Sequence, residues 1–348
     1  MRTSATKPQR SKKRAERLEK IIGLVILTIG AVAISIPLLW MISSSLKGKN
    51  AVNAFPPQWI PREPVKVELD GRACYLYDIP IDGEVRRLAL YRKNGPTGIF
   101  VDPENPEEQY EAPVLDGKRV TRIKFHWENF GLALKAAPFA RYALNTLIIV
   151  VFGTIGTLLS CTLVAYGFAR FRAPGMNWLF LLLLATVMLP PQVTLIPTFI
   201  LFTRIHWYDT LYPLIIPTFF ANAWDVFLLR QFFMSLPREL DEAAIIDGCS
   251  YWCILWKIIV PQSFPALATV AIFTMLYAWN DFYEPLIYLQ SPEHWTLALG
   301  LQGFNALYAK QGHLLMAASL MMVVPPVLIF FFAQRLFIQG VVVSGIKG

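Results

Sequence analysis

The sequence predicts an all-α integral membrane protein with six transmembrane helices, a short helical loop before the fifth helix, and a small β-rich insertion after the first. Of its 348 residues, 55% are hydrophobic and only 16% are charged, whereas soluble proteins carry about 25% charged residues. Six apolar stretches have the roughly 20 residues that a helix needs to cross about 30 Å of hydrocarbon. One long segment between the first two stretches instead alternates apolar and polar residues, which is typical of strands.

The six predicted spans are Ile21–Leu46, Leu144–Phe168, Asn177–Leu201, Thr210–Phe233, Phe264–Leu289 and Leu314–Ile338. Residues 1–20 form a basic tail with eight lysines and arginines, which we expect to stay in the cytoplasm near anionic lipid. Counting six crossings then places both termini in the cytoplasm. The first span is too long for a signal peptide and no clear A-x-A cleavage site follows it, so an uncleaved anchor is expected. The net charge of +8 reflects this topology and is a poor argument for nucleic-acid binding.

The segment 47–140 is expected to lie outside the cytoplasm and to contain a small β-rich part at about residues 65–125. The runs that read as strands are VKVELDGRACYLYDI, EVRRLALY, GIFVD and GKRVTRIKF. Asp-Gly, Asn-Gly and proline separate them, as turns require. A loosely ordered loop is the alternative. The rest of the chain, residues 141–348, is predicted to be the helical membrane core.

The loop 234–263, between the fourth and fifth predicted spans, has the local signals of a helix, a turn and a second helix. Pro237 can open a helix as a first-turn proline, and acidic residues from Glu239 to Glu242 favour the positive end of the helix dipole. Gly248 follows where a helix end requires a residue that tolerates positive φ. The chain can then resume as a helix until Pro261. A purely connecting surface helix is the alternative interpretation.

The loop has the pattern Glu242-Ala243-Ala244, three residues, Gly248, nine residues, Ile258, one residue, Val260-Pro261. It resembles the cytoplasmic coupling loop of the permease subunits of binding-protein-dependent ABC importers, although Val260 stands where leucine is usual. Other segments are similar to the six-span subunit of the maltose-type, carbohydrate-uptake branch: FPPQWIP, AYGFARFRAPG, LATVMLPPQVTLIPTFILF and PALATVAIFTMLYAWNDFYEPLIYL. The inserted residues 65–124 depart from the pattern of that family, so their role is open.

The resemblance implies a transport subunit of the bacterial or archaeal inner membrane that imports a carbohydrate by alternating access. It implies four kinds of partner: a homologous second permease, two ATP-binding subunits, an extracytoplasmic solute-binding protein and membrane lipid. The chain has no G-x-x-x-x-G-K-[ST] phosphate loop, so we expect no cofactor on it and ATP and Mg on the partner ATPases. Alternatives are an ion-gradient-driven secondary transporter, an importer of a non-sugar solute such as a glycerol phosphate, a membrane enzyme and a scaffold.

Two sets of residues are the candidates for function. The resemblance implies that Glu242, Ala243, Ala244, Asp247 and Gly248 couple the permease to the ATPase. Polar residues inside spans are costly in lipid and usually face the protein interior. The candidates for the translocation path are therefore Gln192, Thr194, Asn222, Asp225, Asn280, Asp281 and Glu284. Each could instead hold helices together. Glu284 stands where the family more often has a bulky apolar residue, which could make it specific to this transporter.

Overall fold

The computed structural model describes residues 9–49, 51–69, 71–81, 83–307 and 311–344, without the side chains of residues 9–16, 191, 307 and 335–344. The chain divides into two compact units. One unit is Met1–Ala133 with Lys310–Leu320, and the other is Leu134–Ala309 with Met321–Gly348. Each is described by itself.

The structure is mostly helical. In chain order the α-helices are α1 (Gln9–Ser45), α2 (Glu128–Ala136), α3 (Phe139–Arg170), α4 (Met176–Thr186), α5 (Pro191–Arg204), α6 (Tyr212–Ile215), α7 (Ala223–Ser235), α8 (Glu239–Ile246), α9 (Tyr251–Ile254), α10 (Val260–Gln262), α11 (Phe264–Asn280), α12 (Tyr283–Tyr288), α13 (Leu297–Leu307) and α14 (Gly312–Ser344). Two 3₁₀ turns, Ile216–Phe219 and Pro292–His294, and a π-helical stretch, Leu255–Ile259, occur between them.

Within the described residues, four helical segments are long and apolar enough to cross a membrane: Arg17–Ser45, Phe139–Arg170, Tyr212–Ser235 and Gly312–Gln334. A fifth candidate consists of Tyr251–Gln262 and Phe264–Asn280, which are bent by 78° at their junction. These segments confirm a multi-span helical protein but not six continuous spans.

The predicted third span is not one helix. It is broken between α4 and α5 at Pro190-Pro191, because proline has no N–H for the helix and disfavours helical backbone at the preceding residue. The predicted fifth span is also too long. Helix α11 ends at Asn280, and α12 begins at Tyr283 after a break.

The first unit contains two antiparallel sheets. Strands β1 (Arg62–Pro64) and β8 (Thr121–Ile123) pair with each other. The larger sheet has the order β2-β3-β4-β5-β6, and β7 also pairs with β3. Its strands are β2 (Lys66–Leu69), β3 (Arg72–Ile81), β4 (Glu84–Asn94), β5 (Thr97–Val101), β6 (Gln109–Pro113) and β7 (Lys118–Arg119).

Both faces of the larger sheet carry buried apolar side chains. Leu76 of β3 lies opposite Ala89 of β4, and both belong to one cluster. Tyr77 lies opposite Leu88, and both belong to another cluster. Side chains alternate between the faces of a strand, so the central strands are more buried than the half-exposed pattern predicted. The four strand-like runs of the sequence all contain strands, whereas β1 and β6 were not predicted.

The core of the second unit joins α3, α7, the loop 234–263 and α11. Its fully buried members include Val226, Leu229, Phe233, Ile254 and Ile259. The loop is therefore packed into this unit on one side and is not a detached connection.

Candidate functional site

Helix α8 of the loop ends in the conformation that the sequence predicts. Gly248 has φ of +82°, which L-residues with a Cβ rarely adopt. Its N–H donates to the carbonyl of Ile245 at 3.0 Å, and the N–H of Cys249 donates to the carbonyl of Ala244 at 2.9 Å. These two bonds form a Schellman motif, which satisfies the last carbonyls of a helix.

The chain restarts immediately after this motif. The hydroxyl of Ser250 accepts a hydrogen bond from the N–H of Cys253 at 3.4 Å and caps the start of α9. The helix continues through the π-helical stretch into α10, and Pro261 lies inside α10 rather than at its end. The sharp bend before α11 then follows at Ser263. The predicted helix–turn–helix is thus confirmed, with a second helical part slightly longer than expected.

The base of the loop is attached to the end of α3. Arg170 Nε lies 2.8 Å from Asp241 Oδ2, and both side chains are largely buried, with 5% and 16% exposed. The guanidinium also donates to the carbonyl of Leu236 at 3.3 Å. Burial raises the pKa of Asp241 and outweighs the opposite effect of Arg170. One turn earlier on α3, the hydroxyl of Tyr166 donates to the carbonyl of Tyr251 at 3.2 Å. Helix α3 therefore holds both halves of the loop.

The outer face of α8 is exposed. Glu242, Ala243, Asp247 and Gly248 are exposed, and the side chain of Ile246 is 86% exposed. Ala244 differs from the other candidates because it is only 5% exposed and packs in the core. The place of Ala244 on the helix turns its side chain inward, and the coupling role of the five residues stays a prediction. The exposed Ile245 and Ile246 had not been singled out, although two isoleucines beside an acidic turn are a recognisable signal.

A cavity of about 560 Å³ lies between α3, the region 213–225, α11 and the start of α12. This volume is within the usual range of small-molecule sites. Four of the seven path candidates line it: Asn222, Asp225, Asp281 and Glu284. Gln192, Thr194 and Asn280 are not among its described lining residues. The side-chain amide of Asn280 instead donates to the carbonyl of Leu276 at 2.8 Å, along its own helix.

Asn222 and Asp225 form a reciprocal cap at the start of α7. The N–H of Asp225 donates to Asn222 Oδ1 at 2.9 Å, and the Asn222 amide donates to Asp225 Oδ2 at 2.7 Å. The first of these bonds satisfies a backbone N–H that has no partner within the helix, and the second orients the two side chains. Both residues therefore stabilise the helix as well as line the cavity.

Asp281 and Glu284 are three residues apart but do not lie on one continuous helix, because the chain breaks between them. Asp281 has an extended backbone at the end of α11, and its Oδ1 accepts from the N–H groups of Tyr283 and Glu284 at 3.1 and 3.4 Å. Glu284 lies in the first turn of α12. Asp281 thus acts as a cap for α12, and the cap brings both carboxyl groups to the same cavity.

The cavity also uses small residues that the prediction missed. Gly153 and Thr157 of α3 line it. Gly156 lies between them, and a Cβ there would be 2.8 Å from the ring of Phe219. The pattern Gly-Thr-Ile-Gly-Thr at residues 153–157 was a usable signal, because small residues three or four apart allow close helix packing in membranes. Trp224 also lines the cavity, whereas the indole N–H of Trp279 donates to the carbonyl of Met322 at 3.1 Å.

Comparison with known proteins identifies a family of membrane transport proteins. The profile of the family described as "Binding-protein-dependent transport system inner membrane component" matches residues 159–343. The arabinooligosaccharides transport system permease protein AraQ of Bacillus subtilis is 34% identical over 210 residues, which are 60% of this chain and 74% of AraQ. The sn-glycerol-3-phosphate transport system permease protein UgpE of Salmonella choleraesuis is 36% identical over 240 residues, which are 68% of this chain and 85% of UgpE.

A solved structure has the same fold. It is a chain of a bacterial ABC transporter involved in the import of the acidic polysaccharide alginate, with a TM-score of 0.66 and 19% identity, covering 95% of this chain and 99% of that one. The family match extends over more than half of this chain and includes both the loop 234–263 and most of the helices around the cavity. The chain therefore belongs to the family of inner membrane components of binding-protein-dependent transport systems.

Proposed function

We propose that this chain is one of two different permease subunits of an ATP-driven importer and that together they carry a carbohydrate across the membrane by alternating access. Family membership makes the chain a membrane permease of an ABC importer. The carbohydrate assignment is supported by relatives such as AraQ, whose name specifies arabinooligosaccharides. The name of UgpE, sn-glycerol-3-phosphate transport, supports the alternative of a phosphorylated polyol.

The outer face of α8 is proposed to dock on the ATP-hydrolysing subunit. The observation that carries this proposal is the exposure of Ile246 on a helix whose opposite side, at Ala244, is buried in the core. An exposed isoleucine beside Glu242 and Ala243 gives a small apolar and acidic ridge. A short amphipathic helix of this kind fits a groove on a partner.

Helix α3 is proposed to transmit movement from this contact to the cavity. Arg170 and Tyr166 near its end hold the loop, and Thr157 and Gly153 line the cavity. At 1.5 Å per residue, Arg170 and Thr157 are about 20 Å apart along the helix. A displacement of α8 by a closing ATPase would therefore move a wall of the cavity, because one rigid helix belongs to both.

The proposed complex contains this chain, the second permease, two ATP-binding subunits and an extracytoplasmic solute-binding protein. Both termini and α8 are proposed to face the cytoplasm. The β-rich segment at about 65–125 is proposed to lie on the opposite side, where it would contact the binding protein or the second permease. Deletion of residues 65–124 should then reduce complex yield or uptake, and unchanged values of both would contradict that contact.

The docking proposal can be tested by replacing Gly248. In Gly248→Val, a β-branched side chain at φ of +82° strains the turn, at about 1–2 kcal/mol for the left-handed backbone. We expect the ATPase to be lost from the purified complex and ATP-driven uptake to fall at least tenfold. Gly248→Asn is the matched control, because asparagine tolerates this conformation, and it should keep most of both activities.

A cross-linking experiment tests the contact without straining the fold. Cysteine at Ile246 should cross-link to the ATPase subunit in native membranes, and cysteine at Val85, an exposed residue of β4, should not. Equal cross-linking from the two positions, or none from Ile246 in a complex that hydrolyses ATP, would contradict docking through α8.

A further inference from the structure

We propose that the cavity selects against anionic solutes and that Glu284 is the residue that determines this selectivity. The cargo would then be an uncharged or amino-bearing carbohydrate rather than a sugar phosphate or a uronate. This inference rests on the proposed function, because it assigns a substrate class to the cavity of the permease.

The cavity combines aromatic surface with a few polar groups. Trp224, Phe220 and Tyr277 contribute rings to its lining, and Thr157 and Thr274 contribute hydroxyl groups. A mostly apolar pocket with a few convergent polar groups is the usual form of a small-molecule site. Aromatic faces and hydroxyl groups suit a sugar ring, which has apolar faces and a hydroxylated edge.

All the charged residues of the described lining are acidic. Asp225, Asp281 and Glu284 line the cavity, and none of its described lining residues is Lys, Arg or His. The carboxylates of Asp225 and Asp281 already accept hydrogen bonds from the starts of α7 and α12. In the described part of the chain no group hydrogen-bonds to the carboxyl oxygens of Glu284. Among these three described residues, Asp225 and Asp281 each use one carboxyl oxygen in a hydrogen bond, whereas both oxygens of Glu284 remain available to a solute.

Such a lining disfavours an anion in either protonation state of Glu284. An ionised carboxylate only accepts hydrogen bonds and repels a phosphate or uronate, whereas a protonated one offers a single donor and no compensating charge. Sugar hydroxyls and ammonium groups are donors that match free carboxylate oxygens. Inside a protein, one nearby unit charge changes the occupancy of a charged solute on the order of tenfold or more.

The selectivity separates two kinds of cargo named among the relatives. Arabinooligosaccharides, in the name of AraQ, are uncharged, whereas sn-glycerol-3-phosphate, in the name of UgpE, is an anion.

Charged thiol reagents measure this selectivity in the assembled importer. In a variant with Cys74, Cys161, Cys249 and Cys253 replaced by alanine, Thr274→Cys places a thiol on the cavity wall, and Val85→Cys places one on the exposed surface. The rates of modification by a cationic and an anionic methanethiosulfonate are compared at each position. We expect the cation-to-anion ratio to be about tenfold higher at position 274 than at position 85. Adding Glu284→Gln should lower the ratio several-fold at 274 and leave it unchanged at 85.

Protection of the same thiol identifies the class of solute. Arabinose and glucosamine should slow labelling at position 274 by a neutral reagent, and glucuronate should not. In Glu284→Gln the glucosamine protection should weaken most, because that side chain keeps its size and loses its charge.

Several results would overturn the inference. The inference fails if the cation-to-anion labelling ratios are equal at positions 274 and 85, or if Glu284→Gln leaves the ratio at 274 unchanged. It also fails if glucuronate protects better than arabinose and glucosamine, or if position 274 is not labelled with or without ATP. Thr157→Cys provides a second cavity position if Thr274→Cys does not assemble.

ATP-driven uptake and retained ATPase are measured on the same membranes. If these persist while the ratios are equal, the selectivity is wrong and the proposed function stands. If they are absent from the parent complex, the proposed function itself fails.

Discussion

The loop 234–263 and the cavity differ in how far apart in the chain their contacting residues lie. The turn at Gly248 is closed by hydrogen bonds between residues three to five positions apart. The cavity is lined by residues from Ile149 to Glu284, which lie on separate helices. One candidate site is thus formed mainly by local backbone geometry and the other by the packing of distant segments.

This difference decides how each region responds to substitution. A change on the exposed face of α8 should alter a surface and leave the core intact. A change at a residue that lines the cavity should instead alter the packing of the surrounding helices. Both regions meet on α3, so variants of that helix provide the strongest tests of the distinction.

The largest effect is expected from Arg170→Ala. The carboxyl group of Asp241, whose side chain is only 16% exposed, then loses its ion-pair partner. An unpaired buried charge of this kind costs about 3 kcal/mol of folding free energy. Thermal unfolding of the purified complex in detergent should show the loss, and ATPase retention should fall with it.

Arg172→Ala is the matched control for this variant, because Arg172 is exposed two residues later. The double replacement Arg170→Met with Asp241→Leu should recover part of the stability, since no unpaired charge remains. A single Arg170 variant as stable as the Arg172 control would show that the loop is not held by this ion pair.

The next effect is expected from Gly156→Ala, which tests close packing beside the cavity. The added methyl would be 2.8 Å from the Phe219 ring, and overpacking of this kind costs about 1–3 kcal/mol. Gly153→Ala is the control on the same helix, because its methyl would be 3.7 Å from Thr218, an ordinary contact. Equal melting temperatures of the two variants would contradict the close approach of α3 to residues 216–219.

A smaller effect is expected from Asn222→Ala. It removes the side-chain oxygen that accepts from the N–H of Asp225, and loss of such a cap costs about 1 kcal/mol. Asn222→Ser retains an acceptor and should recover most of the loss. Unfolding midpoints would measure both variants, and an alanine variant as stable as the parent would show that the cap contributes nothing to α7.

The smallest effect is a dependence on pH at Asp209, which lies between α5 and α6. Burial tends to raise the pKa of Asp209, but hydrogen bonds from Ser291 and the N–H of Gln290 outweigh it and lower the pKa to about 2. A lowered pKa gives stability that is present above the ordinary value near 4 and is lost as the pH falls through about 2.

The amount of stability is about 0.5 kcal/mol after allowing for the exposure of the side chain. The unfolding midpoint of the parent protein should therefore fall between pH 4 and pH 2 by more than that of Asp209→Asn. Asparagine is the suitable replacement, because Asp209 has φ of +59°. Parallel pH profiles of the two proteins would contradict the lowered pKa.

The structural predictions from the sequence succeeded where the signals are local. Gly248, the acidic first turn of α8 and the strand-like runs from Val65 to Phe125 all correspond to observed elements. They failed where an apolar stretch was assumed to be continuous. The break after Asn280 divides the predicted fifth span, and apolar composition does not reveal it. The break at Pro190-Pro191 divides the predicted third span, although there the two prolines are themselves a local signal.

The amino-acid sequence alone determined that the chain is a helical membrane protein with a turn fixed by glycine at residue 248. These features depend on composition and on backbone preferences within a few residues. Only the tertiary structure decided that Ala244 faces inward, that Arg170 holds the loop, and that Asp225, Asp281 and Glu284 share one cavity. Those features depend on which distant helices pack together, and periodicity along a single segment carries no information about its partner.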